Sequence, residues 1–320
     1  MKYDVTALGE LLIDFIAAEP SAQGNLQFEA NPGGAPCNVL SMLQNLGRKT
    51  AFIGKVGDDG FGRQLREAVE SCGVDLCGLM MDKEIHTTLA FVHKLPDGDR
   101  DFSFYRNPGA DMMLREDEIN EDLIRNARIF HFGSLSLTGE PVRTATRKAL
   151  RIAEENQVLR SYDPNLRMPL WSSESEAREQ ILWGMAHCDI LKIADNEILW
   201  LSGKDDYDEG IAWLQERFAI PVIFLTLGPE GSRIYFNGER RDIPPFLQEN
   251  TIETTGAGDT FCACMLDGIL ETGMDHLTME KLVQSAVFAS AAASLITTRK
   301  GALKAMPSRK EVQTFLSLNK

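Results

Sequence analysis

Short apolar runs alternate with segments of helical period along most of the chain. Apolar β-like runs at 5–8, 51–56, 128–132, 159–162, 190–193 and 222–226 predict strands. Between them, Val39, Met42, Leu43 and Leu46 recur at i, i+3, i+4 and i+7, and Gly47 follows as a stop signal. Leu65, Ala68, Val69 and Cys72 repeat the spacing and end at Gly73, and Ala145, Ala149, Ile152 and Ala153 follow it again. Such alternation predicts an α/β protein, a mostly parallel sheet covered by helices. One region departs from it. Segments 88–93 and 101–105 read as strands joined across Pro96-Asp97-Gly98-Asp99, and with a strand-like 12–17 they predict a small antiparallel lid. A second hairpin is expected at 232–236 and 240–243 across Asn237-Gly238. With no internal repeat or long linker, the expectation is one domain over 1–320, with a β-lid from about 12–32 and 87–107 inserted in the core.

Composition narrows the function. The 320 residues carry a net charge of −14, and no basic run of five or more occurs, which argues against a nucleic-acid partner. An acidic surface leaves phosphate ligands open, because backbone N–H groups supply local positive field. The six cysteines form no Cys-x-x-Cys pair and read as reduced thiols of a cytoplasmic protein. The five histidines have no zinc-like spacing. Asp4, Glu10 and Asp14 interrupt the N-terminal apolar stretch, so no signal peptide is expected. The uncharged run 282–298 is short for a membrane span and reads as a buried helix.

The chemistry concentrates in Thr254-Thr255-Gly256-Ala257-Gly258-Asp259, ahead of Phe261, Met265 and Ile269 at helical spacing. Glycines at a helix mouth let a ligand approach the backbone closely, and the first-turn N–H groups and dipole make an anion hole. Asp259 beside such a hole is placed to take a proton from an attacking hydroxyl; the alternative is a first-turn carboxylate favoured by the dipole alone. Four further clusters accompany it: Asp14 after the first strand, the glycine loop 31–38 ending in Asn38, Arg106 at the end of the lid hairpin, and Asp163-Pro164-Asn165-Leu166-Arg167 after another strand. Polar groups at the carboxyl ends of parallel strands are where open α/β sheets bind ligands.

Pro-Gly-Gly-Ala-Pro-Cys-Asn-Val (32–39) and Thr-Thr-Gly-Ala-Gly-Asp-Thr-Phe (254–261) resemble the two signatures of the ribokinase-like (PfkB-type) carbohydrate kinases. Segments 104–114, 130–137 and 162–171 are most similar to fructokinases. The resemblance implies a three-layer α/β/α fold with a β-sheet lid and a phosphotransferase acting on the primary hydroxyl of D-fructose. Asp259 would then be the base and Gly256, Ala257 and Gly258 the anion hole. Asp14, Gly33, Gly34, Asn38, Arg106 and Arg167 would contact the sugar. Thr226, Gly228 and Gly231 would form the nucleotide loop, Ser290 a wall of the adenine pocket, and Lys192 and Glu197 would lie near the phosphates. The implied cofactors are ATP, Mg²⁺ (through water on Glu197) and K⁺ at Glu253, Thr255, Ile296, Arg299 and Gly301. The implied partners are small molecules and a second copy through the lid, with no nucleic acid or membrane. Two departures stand out: Ala194 replaces the family's Asn ahead of Glu197, and Glu253 and Ala305 stand where Asp and Ser are usual. A 2-keto-3-deoxygluconate kinase and a non-catalytic sugar-sensing protein of the same fold remain the alternatives.

Overall fold

A computed structural model describes residues 2–94 and 100–319. The strands in chain order are β1 (Tyr3–Leu8), β2 (Leu12–Ala18), β3 (Gln27–Gly33), β4 (Thr50–Gly57), β5 (Asp75–Asp82), β6 (Leu89–Lys94), β7 (Arg100–Tyr105), β8 (Ala127–Gly133), β9 (Leu159–Asp163), β10 (Ile190–Ala194), β11 (Val222–Thr226), β12 (Ser232–Phe236) and β13 (Glu239–Ile243). Nine of them form the main sheet in the order β13-β12-β11-β10-β9-β8-β1-β4-β5. All neighbours from β5 across to β11 are parallel, whereas β12 and β13 close the far edge antiparallel. Asn237 and Gly238 turn that edge hairpin with φ of 50° and 76°, the left-handed pair that such a two-residue turn requires.

Parallel strands covered on both faces should be continuously apolar, and the side chains should alternate between two cores. They do. On β11, Val222 and Phe224 enter one core, which holds the helices Ala35–Asn45, Ala257–Thr272 and Met279–Ile296. Ile223 and Leu225 enter the other, together with Phe130, Phe132 and Tyr162. The uncharged run at 282–298 lies within Met279–Ile296 and its immediate end, a largely buried helix. No helix among the described residues is long and apolar enough to cross a membrane.

The second sheet has the order β3-β2-β6-β7. Two features differ from the sequence reading. The sheet is mixed, because β2 and β6 pair in parallel. Each leaves the main sheet directly after one of its strands and so crosses in the same direction. Residues 31–33, read as loop, are the end of β3, a polar strand on the sheet edge where Pro32 costs no ladder bond. β3 and β5 were not predicted as strands: β3 is too polar and β5, Asp-Leu-Cys-Gly-Leu-Met-Met-Asp, lacks β-branched residues and alternation. The turn expected at 96–99 lies outside the described residues.

Candidate active site

Two helix N-termini, distant in sequence, meet under the second sheet. The first is that of Ala35–Asn45, entered through Gly34 at φ 124°. The second is that of Ala257–Thr272, whose N-cap Gly256 has φ 79°; a Cβ there would lie 2.8 Å from the Ala302 Cβ. Neither helix has a side-chain bond from its own N-cap residue; the Ala35 N–H donates to Glu10 Oε1 at 2.9 Å and the Ala257 N–H to the Thr254 carbonyl at 3.2 Å, which leaves the remaining first-turn N–H groups for a ligand. Asn38 on one helix donates Nδ2–H to Asp259 Oδ2 on the other at 2.8 Å. Burial drives the Asp259 carboxyl up to about 6; Asp163 adds to the shift, while the Asn38 bond, Lys192 and Arg167 restrain it. It is therefore ionised at neutral pH yet basic for an aspartate.

Adjacent parallel strands supply the next pair. Asp163 ends β9 and Lys192 lies on β10, so their side chains meet at 3.1 Å, both nearly fully buried. Burial alone would lower the Lys192 ammonium, but Asp163, Glu197 and Asp259 outweigh it and hold it above the ordinary lysine range. A Cβ on Gly258 would sit 3.2 Å from Lys192 Nζ, so the ammonium borders the first turn of that helix. Behind them His131 meets Ser161 Oγ at 3.0 Å; burial, then Lys192, lower its pKa to about 4, leaving it neutral.

The lid contributes Asp14 on β2. Its carboxyl is pushed up to about 7, chiefly by desolvation, with Asp259 and Glu253 adding to the shift and Arg167 opposing it. A Cβ on the neighbouring Gly33 would fall 2.2 Å from Asp14 Oδ2. Arg167 donates to the Leu166 carbonyl at 3.0 Å and, among the described residues, has no carboxylate within 4.0 Å. Asp14, Asn38, Arg167, Lys192 and Asp259 thus share one electrostatic neighbourhood.

The other expected residues make contacts of their own. Arg106 is buried and bonds Asp111, Thr138 Oγ1 and the Leu135 carbonyl, a protein network at the base of the lid. Glu197 accepts the N–H groups of Leu166 at 2.7 Å and Ala194 at 2.8 Å, which locks the ends of β9 and β10 together. Thr226 ends β11, Gly228 and Gly231 follow it, and Ser290 is buried on Met279–Ile296. At the expected cation loop, Glu253 Oε1 accepts the Gly301 N–H at 2.6 Å, and Thr297 O accepts the N–H groups of Ile252 and Glu253. Arg299 turns away to the Ala305 carbonyl and Glu311, and Ile296 O accepts the Arg299 N–H. Thr255 lies next to Gly256 at the helix mouth. Among the described residues no cluster of three or more His, Cys, Asp or Glu could hold a metal by itself.

The sequence reading passed over the Asp163–Lys192 ion pair and took Glu10 only as a charge breaking an apolar run. A Lys in the middle of an otherwise apolar strand was the available signal for the first, since such a charge demands a partner.

A buried acid of raised pKa, a fixed ammonium and a helix N-terminus beneath the second sheet suit proton abstraction beside a developing anion. Comparison with known proteins agrees: the pfkB family carbohydrate kinase model matches residues 2–309. The chain belongs to the pfkB family of carbohydrate kinases. It is 41% identical over 323 residues to the probable fructokinase-4 of Arabidopsis thaliana, covering 98% of this chain and 97% of that protein. The fructokinase of Xylella fastidiosa with bound ATP superposes with a TM-score of 0.91 at 28% identity, over 100% of this chain and 99% of that one. A double mutant of the Vibrio cholerae O395 fructokinase, bound to fructose, ADP and potassium ion, gives 0.89 at 28% identity over 98% of both chains.

Proposed function

We propose that this chain phosphorylates the primary hydroxyl of D-fructose from ATP, giving ADP and fructose 6-phosphate, as a single kinase domain closed by its lid. The observation that carries the reading is the Asn38–Asp259 bond joining two helix N-termini beneath Asp14. Asp14, the 33–34 backbone, Asn38 and Arg167 hold the sugar, and Asp259 accepts the proton of its primary hydroxyl. The N–H groups of Gly256, Ala257 and Gly258, with Lys192, stabilise charge on the transferring phosphoryl group. The loop 226–231 and the Ser290 helix flank the nucleotide.

Mg²⁺ keeps several waters and needs few protein carboxylates, which fits a mouth offering Glu197, already bonded to two N–H groups, and Ala194 with no ligand atom. Bound there with ATP, it neutralises phosphate charge. The hard oxygens around Glu253 and Gly301 fit K⁺ as the cation of that loop. Six free cysteines, four of them buried, suit a cytoplasmic protein. The lid leaves Leu26 at 79% and Tyr105 at 65% exposure, consistent with a homodimer through this sheet.

A panel of fructose, ribose, tagatose and 2-keto-3-deoxygluconate, assayed by ADP release with and without potassium, tests the reading. Fructose should give the highest kcat/KM. Arg167, with no carboxylate within 4.0 Å among the described residues, favours one rival, because such a guanidinium suits a substrate acid; faster turnover of 2-keto-3-deoxygluconate would establish it instead. A sugar-sensing protein would release no ADP with any of them.

The pH profile is a second test. Asp259 and Asp14 must both be ionised, at about 6 and about 7 in the free protein. With both acids raised, kcat/KM should rise with pH, steeply below the lower value and with unit slope between the two, and level above about 7. A profile flat down to pH 5 would contradict both roles.

A further inference from the structure

Glu10 stands at a crossing that the proposed chemistry does not use. The chain passes between the main sheet and the lid four times: out through 9–11, back through 33–35, out through 83–88 and back through 106–110. At the first pair of crossings backbone packs on backbone, and a Cβ on Gly34 would lie 2.4 Å from the Glu10 carbonyl oxygen. The Glu10 side chain, 4% exposed, reaches across, and its Oε1 accepts the Ala35 N–H at 2.9 Å. That N–H opens the helix carrying Asn38, whose own N-cap residue supplies no side-chain bond.

The second pair of crossings is tied by Asp111. It accepts from Thr88 Oγ1 at 2.5 Å and from Arg106 Nε at 2.7 Å, and Arg106 continues to Thr138 and the Leu135 carbonyl. The Ile13 N–H of β2 donates to the Thr88 carbonyl at 3.2 Å. Asp111 and Arg106 also lie near enough for their charges to act on Glu10 in opposite senses. All four crossings thus meet in one buried polar junction.

We infer that Glu10 is a positioning residue: it sets the start of the Asn38 helix against the lid and joins lid orientation to sugar binding through Arg106 and Asp111. This rests on the reading of 33–38 as sugar-binding. Glu10→Ala should raise the KM for D-fructose about tenfold or more, the loss of one charge-assisted bond at a substrate loop, while the KM for ATP stays within about twofold. Glu10→Gln keeps the acceptor oxygen and should recover most of the loss. Without any substrate, hydrogen exchange in Glu10→Ala should quicken at 35–38 and also at 103–110 across the junction.

A Glu10→Ala protein with lower thermal stability, unchanged KM for fructose and wild-type exchange at 103–110 overturns the inference and leaves Glu10 a local brace. If Glu10→Ala does not fold, the shorter Glu10→Asp, Asp111→Asn and their double variant decide: non-additive effects on the KM for fructose support the junction, and additive ones overturn it. If the wild type turns over no fructose, the proposed function fails, while the exchange measurement still judges the junction.

Discussion

Asp259→Asn should fold and bind sugar near normally while turnover falls by about 10²–10⁴-fold, the usual worth of a positioned general base. The substitution is nearly isosteric, and the amide oxygen can still accept from Asn38 Nδ2 at the 2.8 Å contact if the new amide orients that way. What disappears is a group able to take a proton. It also removes one negative charge from the neighbourhood of Lys192, so any residual turnover should lose the lower of the two acid transitions in its pH profile. Steady-state kinetics with a sugar titration separates the two effects, since kcat should collapse while the KM for sugar changes little. Near wild-type turnover would remove Asp259 from the role of base.

Gly33→Ala should act through the substrate instead. The added Cβ would lie 2.2 Å from Asp14 Oδ2, a separation no structure tolerates, so the Asp14 side chain must leave its place or β3 must shift along β2. Either movement disturbs the carboxylate proposed to accept sugar hydroxyls. A hydrogen bond to a charged group contributes about 1.5–3 kcal/mol, so losing one raises the KM for sugar roughly 10- to 150-fold. The backbone φ at Gly33 is ordinary, so a stability loss should be small beside this. Measured by calorimetric titration of fructose, unaltered affinity would show that Asp14 does not hold the sugar.

Much of this fold was legible because its parallel strands are apolar and its turns carry their own chemistry. The hairpin at Asn237-Gly238 is the plainest case, since two adjacent left-handed residues leave few alternatives. The helix mouth at 256–258 was equally readable, because its N-cap at φ 79° favours a glycine. The missing parts have a common cause. β3 is held by pairing with β2, not by its own propensity, and the parallel β2–β6 pairing follows from how the chain returns to the lid. Arg106 was expected at the sugar; the structure engages it with Asp111, Thr138 and Leu135, partners separated by up to 32 residues that local patterns do not announce. Glu10 was invisible for the same reason, its partner being a backbone N–H at position 35.

The meeting of Asn38 with Asp259 spans 221 positions of sequence, and this bears on how the protein comes into being. During synthesis Asn38 and its helix emerge long before Asp259, the proposed base. Until the helix Ala257–Thr272 follows, the buried face of the earlier helix, with Leu40 and Leu43, lacks the neighbour it packs against. A chain released before that point would present an apolar surface to its surroundings and could consume no ATP through this site. Such fragments are aggregation-prone and open to proteolysis, so truncated products should be cleared without having spent nucleotide.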